Sequence, residues 1–209
     1  MITGVVLHEA SNQLFELVTD LRHLCWGDSL SSLDLLDDGH DSHALHFVLL
    51  DQDIVIAAAR LCVHELLADV PDPHLFVTTN RPLPAPLGCI NRLVVHPKYR
   101  KLGIASILDQ VRTEATKQLG CKTMLVAWNE HSGIQRRNAI QAQEFESITD
   151  GKAVADGEWG YSYPYAKSID NGTSNSVGTL HFNVNLQMFT DELNRLLSLI
   201  NMHRDNLTI

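Results

Sequence analysis

The chain has 209 residues, of which 44% are hydrophobic and 20% are charged, and its formal net charge is −9 at pH 7. These values are ordinary for a globular protein with one sizeable core, and they exclude fibrous and intrinsically disordered classes. The negative charge disfavours nucleic acid or an anionic membrane as the main partner, and no apolar run approaches the ~20 residues that a membrane span needs.

The N-terminal segment MITGVVLHEASNQLF has no basic region followed by an apolar core, so we expect a cytoplasmic protein. Four cysteines lie far apart among apolar neighbours and form no CxxC pair: Cys25, Cys62, Cys89 and Cys121. This usage predicts buried free thiols in a reducing compartment.

An amphipathic helix is the first predicted element. Ser11 and Asn12 are suitable caps, and apolar residues follow them at spacings of three and four. These residues are Leu14, Leu17, Val18, Leu21 and Leu24. Two apolar runs then flank Asp51-Gln52-Asp53 and predict a β-hairpin.

The next segment, ADVPDPHLFVTTNRPLPAPLG, is rich in proline and cannot form a continuous helix or strand. We therefore expect a long loop between strands over residues 67–88. Long loops inside a compact domain are often functional, so this one is expected to border a site.

A β-strand, a helix and a second strand follow. The segment CINRLVV predicts the first strand, Gly103 to Leu119 the helix, and KTMLVAW the second strand, with Gly120 as the helix stop. The helix has one apolar stripe, made of Ile104, Ile107, Leu108, Val111, Ala115 and Leu119. Such a βαβ unit predicts that its two strands are parallel neighbours.

The remaining chain predicts a helix over residues 132–143, the segments FESIT and EWGYSYPYAK, and a linker, IDNGTSNSVGT. A short strand, LHFNVNL, and a final helix complete the chain, which divides into a domain over residues 1–168 and an extension over 169–209. The apolar face of the final helix comprises Phe189, Leu193, Leu196, Leu197 and Ile200. That face must cover the domain or a second subunit, so a monomer and a homodimer are both left open.

The turn before the central helix is the most informative feature. Residues 73–108 contain no Asp or Glu but five Lys or Arg residues, so a positive site lies on a negative chain. Arg100 and Lys101 precede Gly103, where backbone N–H groups at a helix start can surround a pyrophosphate. The turn is neither a P-loop nor a dinucleotide-binding fingerprint, because the glycines and the GK[ST] of those motifs are missing. We expect a small anionic ligand here.

The segment INRLVVHPKYRKLGIASILDQVRTEATKQLGCKTMLVAWN resembles motif A of the GNAT superfamily of acyl-CoA-dependent N-acyltransferases, and the six residues from Arg100 to Ala105 fit its Q/R-x-x-G-x-G/A pattern. The likeness covers about residues 10 to 165. It implies an α/β fold with a mixed, mainly antiparallel sheet, and acetyl-CoA or CoA as acyl donor. The implied CoA-binding residues are Leu93, Val94, Val95, Arg100, Lys101, Leu102, Gly103, Ile104, Ala105, Ser106 and Asn129.

The resemblance also implies a mechanism. The thioester carbonyl is expected near Leu93, polarised by a main-chain N–H, and a small-molecule primary amine attacks it directly in a ternary complex. The glutamate and tyrosine that many relatives use for proton transfer are replaced by Cys89 and Ile140. Glu65 and Tyr163 are the substitutes we predict, ahead of His96, Glu130, His131, Tyr161 and Tyr165. Because the usual pair is missing, a non-catalytic acyl-CoA-binding module is the alternative.

The segment is also similar to the SRxxV strand of acyl-homoserine lactone synthases and long-chain N-acyl amino acid synthases. Arg60, Arg92 and the aspartates of DDGHDSH match that pattern. This second resemblance implies that acyl carrier protein, rather than CoA, delivers the acyl chain. The histidines and aspartates of DDGHDSHALH fit no familiar zinc spacing, so no metal is expected.

Overall fold

The computed structural model describes residues 2–8, 13–27, 36, 38–129, 132–169 and 186–205. The strands are β1 (Ile2–His8), β2 (Leu45–Asp51), β3 (Ile54–His64), β4 (Leu87–Val95), β5 (Thr123–Asn129), β6 (Glu146–Ser147), β7 (Val154–Ala155) and β8 (Tyr161–Ser168). The helices are α1 (Gln13–Trp26), α2 (Ile104–Gln118), α3 (Gly133–Ala142) and α4 (Leu186–Asp205).

Within this part of the chain, eight strands form one sheet in the order β1-β2-β3-β4-β5-β8-β6, and β7 pairs with β8. The strands β4 and β5 are parallel, whereas β1–β2, β2–β3 and the pairs made by β8 are antiparallel. The predicted α/β fold with a mixed, mainly antiparallel sheet is therefore confirmed.

The contacts divide the chain into two compact units. The first unit comprises Met1–Leu61, Arg92–Ala115 and Leu180–Ile209, and the second comprises Cys62–Asn91 and Thr116–Thr179.

The core of the first unit lies between α1 and the hairpin. The hairpin pairs Leu45 with Leu61 and turns at Asp51–Ile54, as predicted. Against it pack Val18 and Leu21, the buried members of the helical stripe, whereas Leu17 and Leu24 are exposed. The stripe therefore identified the helix correctly, but only three of its five residues, Leu14, Val18 and Leu21, pack in the core.

The first unit also holds two elements from the ends of the chain. The strand β1, which the sequence analysis did not predict, pairs with β2 in the register Ile2↔Asp51 to His8↔Leu45. The helix α4 packs on β1, so its buried Leu193 and Leu197 cover the domain itself. Most of the predicted strand LHFNVNL and of the linker falls on residues 170–185, outside the described part of the chain, and the last residue of that segment, Leu186, begins α4 instead.

The second unit is built on β5 and β8, which pair from Thr123↔Ser168 to Asn129↔Ser162. The predicted parallel pairing of β4 with β5 is confirmed over Leu87–Cys89 and Thr123–Leu125. Up to Pro86 the proline-rich segment contains only short 3₁₀ turns, Leu67–Asp69 and Pro73–Leu75, as its composition indicated, whereas its last two residues, Leu87 and Gly88, already belong to β4. Among the described residues, no helix is long and apolar enough to cross a membrane.

Candidate functional site

The connection from β4 to α2 is a tight, exposed turn in the first unit. A 3₁₀ turn at Pro97–Tyr99 is followed by two residues in the left-handed backbone region, Lys101 with φ 67° and Gly103 with φ 80°. A non-glycine residue rarely adopts this conformation, so the turn has an unusual and specific backbone shape.

The turn presents its backbone and charges to solvent. Arg100, Lys101 and Gly103 are exposed, whereas Ile104 is buried and anchors the first turn of α2. A Cβ added at Gly103 would meet no atom within 4 Å, so the space beside this glycine is open. The first N–H groups of a helix have no intrahelical acceptor, and they lie at the positive end of the helix dipole. The geometry suits an anion.

Two hydrogen bonds to the hairpin hold the residues just before the turn in place. The Tyr99 hydroxyl donates to Asp51 Oδ2 at 3.0 Å, and the His96 N–H donates to the Ile56 carbonyl at 2.8 Å. Both acceptors belong to the hairpin of the first unit. The turn is therefore fixed to the sheet rather than supported by α2 alone.

The carbonyl of Val95 is already engaged. Arg100 Nε donates to it at 3.1 Å, and Cys25 Sγ donates at 3.7 Å. Burial raises the pKa of the Cys25 thiol, although its hydrogen bond with Arg100 acts in the opposite direction. The predicted backbone contact at Val95 is therefore restricted to its N–H group.

The sequence model of the acetyltransferase (GNAT) family matches residues 11–138, which include this turn and both strands beside it. The chain belongs to the GNAT acetyltransferase family. GNAT enzymes take the acyl group from acetyl-CoA and act on amines of small molecules or proteins, so this protein is a GNAT-type acyltransferase.

Solved structures share the GNAT fold with this chain. An acyl-CoA N-acyltransferase from Pseudomonas aeruginosa has a TM-score of 0.58 at 14% identity, covering 80% of this chain and 100% of its own. NAA60 from Arabidopsis thaliana, solved with acetyl-CoA, has a TM-score of 0.56 at 13% identity, covering 81% and 99%. FeeM, an N-acyl amino acid synthase from uncultured soil microbes, has a TM-score of 0.59 at 9% identity, covering 80% and 92%.

At these identities the similarity establishes the fold alone. No curated protein sequence matches the chain significantly.

The predicted CoA-binding residues fall mostly in the first unit. Along the GNAT motif, Val94 is buried in the core, and Leu93 and Val95 are half-buried in β4. At the turn, Leu102 and Ser106 are exposed and Ala105 is half-buried. Strand end, turn and helix start are thus contiguous in one unit.

The predicted residues Asn129, Tyr163 and Glu65 lie in the second unit. Asn129 ends β5, and its Oδ1 accepts from the Ser132 N–H at 2.9 Å and from the Ser132 hydroxyl at 2.7 Å. Tyr163 is half-buried, and its ring lies 4.7 Å from the ring of Trp128. Glu65 is exposed just after β3, and its charge raises the pKa of Cys121, although burial is the larger cause.

The two positions where GNAT relatives often hold proton-transfer residues are apolar and buried here. Cys89 is 3% exposed in β4, and Ile140 is 1% exposed in α3. Both side chains are buried, and neither carries the carboxyl or phenol group of the usual proton-transfer residues.

A buried charge network in the first unit was only partly anticipated. Asp38 accepts from Arg60 Nη1 at 2.6 Å and Nη2 at 2.5 Å, and also from Arg92 Nη2 at 2.9 Å. Asp41 accepts from Arg22 at 2.6 and 3.1 Å and from Arg60 at 3.0 Å. Arg60, Arg92 and the aspartates belong to the synthase-like sequence pattern, whereas Arg22 does not; Arg22 follows the buried Val18 at the helical spacing of four.

The network is electrostatically tight. The arginines lower the pKa of both aspartates despite the opposing effect of burial, and burial lowers the pKa of Arg22. His46 Nε2 lies 2.9 Å from the Asp41 carbonyl, and burial lowers the His46 pKa to about 4. The aspartates are therefore ionised and the histidine is neutral near pH 7.

Within the described residues, no group of three or more His, Cys, Asp or Glu side chains is arranged to hold a metal ion. The segment that carries Asp38 and Asp41 instead binds arginine.

Proposed function

We propose that the protein transfers an acetyl group from acetyl-CoA to a small-molecule primary amine by direct attack in a ternary complex. The observation that carries the proposal is the exposed turn from Arg100 to Gly103 together with the start of α2. It combines basic side chains, two left-handed residues and a helix start. The solved acetyl-CoA complex of a protein with the same fold supports this choice of donor.

The turn fits the pyrophosphate of CoA. Gly103 leaves open space where any side chain would project, and the N–H groups of the first turn of α2 can donate to phosphate oxygens. Arg100 and Lys101 add full positive charges to that partial charge. Lys98 is exposed in the same turn and raises the local positive potential.

The strand β4 continues the site. Its N–H group at Val95 is the expected partner of a pantetheine carbonyl, because the Val95 carbonyl is occupied by Arg100 and Cys25. When bound, acetyl-CoA supplies an activated thioester. The N–H of Leu93 is proposed to donate to its carbonyl oxygen, where negative charge develops as the amine attacks.

Two residues are proposed for proton transfer. Glu65 would accept a proton from the amine, directly or through water, and Tyr163 would donate one to the leaving thiolate. Tyr163 has support from its position, because it lies opposite Trp128 at the end of β5 and is only half-buried. Glu65 is supported by its exposure at the end of β3.

Thiol release tests the proposed reaction. We expect acetyl-CoA to release CoA thiol when a panel of primary amines is added, and Tyr163→Phe to lower kcat by about 10²-fold. If CoA binds but no amine in the panel causes release, a non-catalytic acyl-CoA-binding module is the better description.

The charge network favours one second candidate, a synthase that takes long acyl chains from acyl carrier protein. Both arginines of the synthase pattern, Arg60 and Arg92, converge on Asp38. FeeM is a synthase with the same fold. A comparison of acetyl-CoA, long-chain acyl-CoA and acylated carrier protein as donors separates the two candidates, since at least tenfold higher kcat/KM with the long-chain donors would favour the synthase.

A further inference from the structure

Arg92 has an unusual backbone conformation. It lies within β4, yet its φ is 50°, in the left-handed region that is unfavourable for a residue with a Cβ. A left-handed residue within a strand interrupts the regular alternation of peptide groups, as the first residue of a glycine-type bulge does. Glycine would be the ordinary choice at such a position, so the arginine side chain requires a reason.

The side chain supplies that reason. Arg92 Nη2 donates to Asp38 Oδ2 at 2.9 Å, and the Arg92 side chain is only 10% exposed. Asp38 is itself fixed, because Arg60 donates to both of its oxygens and the Arg60 side chain is fully buried. The ion pair therefore ties a strained point of β4 to a rigid part of the first unit.

The strained point adjoins the proposed reaction centre. The peptide group that follows Arg92 carries the N–H of Leu93, so the backbone angles of Arg92 set the direction of that N–H. We propose that Arg92 is a positioning residue, whose ion pair with Asp38 holds the Leu93 N–H in the direction needed to stabilise the oxyanion. This inference rests on the proposed function.

Removal of the Arg92 side chain should leave the rest of the charge network and the turn intact, so a loss of catalytic rate can be distinguished from a loss of structure. If Arg92 is removed, Asp38 keeps its two hydrogen bonds from Arg60, and Asp41 keeps its bonds from Arg22 and Arg60. The buried carboxylates thus retain partners. The turn from Arg100 to Gly103 is not altered by these substitutions. The Kd of CoA should therefore stay the same while kcat falls.

The test uses the full chain with Arg92→Gly, Arg92→Ala and Arg92→Lys. Glycine adopts a φ of 50° without strain, and lysine keeps one charge that can reach Asp38. Arg81→Ala is the matched control, because it removes another arginine–carboxylate pair, with Glu146. The readouts are kcat and KM for acetyl-CoA, the Kd of CoA by calorimetry, and hydrogen exchange of the β4 amides in the free protein.

We expect kcat to fall about 10- to 100-fold in the glycine and alanine variants, because a small misplacement of the donor is costly. The Kd of CoA should stay within about threefold of wild type, since the turn residues that bind phosphate are unchanged. Arg92→Lys should recover part of kcat, and exchange at residues 93–95 should rise most in the variants that lack the charge. The control should match wild type in all four readouts.

Two results would overturn the inference. One is a kcat for Arg92→Gly within about twofold of wild type. The other is a parallel loss of kcat and CoA affinity that Arg92→Lys does not relieve, which indicates a general loss of structure. If wild type itself fails to bind CoA, it is the proposed function that fails, and hydrogen exchange still reports whether Arg92 orders β4.

Discussion

His46 is a buried imidazole that cannot easily accept a proton. It is 1% exposed, its Nδ1 has no hydrogen-bond partner, and its ring contacts Phe15 at a centroid distance of 4.8 Å. Burial lowers its pKa to about 4, against the smaller opposing effect of Asp41. The side chain therefore links folding to pH.

We predict that the free energy of unfolding decreases as pH falls from about 6.5 to 4. The unfolded imidazole takes up a proton near pH ~6.5, whereas the folded one does so only near pH 4, so the unfolded state binds more protons between these values. The expected loss is on the order of 3 kcal/mol across the window. Urea denaturation at a series of pH values measures it.

His46→Gln should flatten this dependence, because glutamine does not titrate. The exposed His43 provides the control, and its change to glutamine should leave the slope as in wild type. An unchanged slope in the His46 variant would contradict the assignment.

At the residue scale, the sequence predicted the basic turn but not the complete charge network. Arg100 and Gly103 lie within one short segment, so their grouping is visible in one dimension. Arg22, Asp38 and Arg92 come from three distant segments, and only the packing of α1 against the hairpin and β4 brings them together. The one local signal for this network in the sequence is Arg22, a charged residue at a position of α1 where the helical spacing predicts an apolar one.

The helix α4 and the strand β1 form a joint element, although they lie at opposite ends of the chain. Asn194 Oδ1 accepts from the Gly4 N–H at 2.7 Å, and its Nδ2 donates to the Gly4 carbonyl at 2.9 Å. Thr190 Oγ1 accepts from the Val6 N–H at 3.1 Å. Because β1 is the last strand of the sheet order, these bonds satisfy an edge that would otherwise be open to pairing.

Gly4 makes this close approach possible. A Cβ added there would lie 2.5 Å from Leu193 Cδ2 and 2.6 Å from Leu193 Cγ. Gly4→Ala should therefore reduce the free energy of unfolding by about 1–3 kcal/mol, and Leu193→Ala by about 2–5 kcal/mol.

The double variant should lose less than the sum of the single losses, by about 1–2 kcal/mol, because removing the leucine also removes the clash. Urea denaturation of the four proteins measures the coupling. Additive losses would show that α4 does not pack on β1 as described.

At the element scale, the periodic segments were predictable and the ends were not. The stripe of α2 and the alternation around Asp51 indicated their elements directly. The strand β1 also alternates, with Ile2, Gly4 and Val6 buried, but glycine weakens a strand pattern and its partner is distant in sequence. The helix α4 packs on β1, so the apolar face of α4 alone could not predict where the helix lies.

At the scale of the whole molecule, charge is distributed unevenly. The chain carries −9, yet residues 73–108 contain five Lys or Arg and no Asp or Glu. Of these five, Arg81 and Arg92 pair with carboxylates, which concentrates the exposed positive charge at Lys98, Arg100 and Lys101. A polyanion is therefore attracted to one turn of an otherwise acidic molecule.

The central claim is that this turn binds CoA, and calorimetric titration of CoA tests it most directly. Gly103→Glu places a charged side chain in the open space at the turn, whereas Gly151→Glu makes the same change at a glycine with φ 77° and equally open surroundings. Arg100→Glu is compared with Lys122→Glu, an exposed charge outside the turn.

We predict that Gly103→Glu and Arg100→Glu each raise the Kd of CoA at least about tenfold, whereas the two control variants stay close to wild type. Equal CoA affinity in all five proteins would contradict the account.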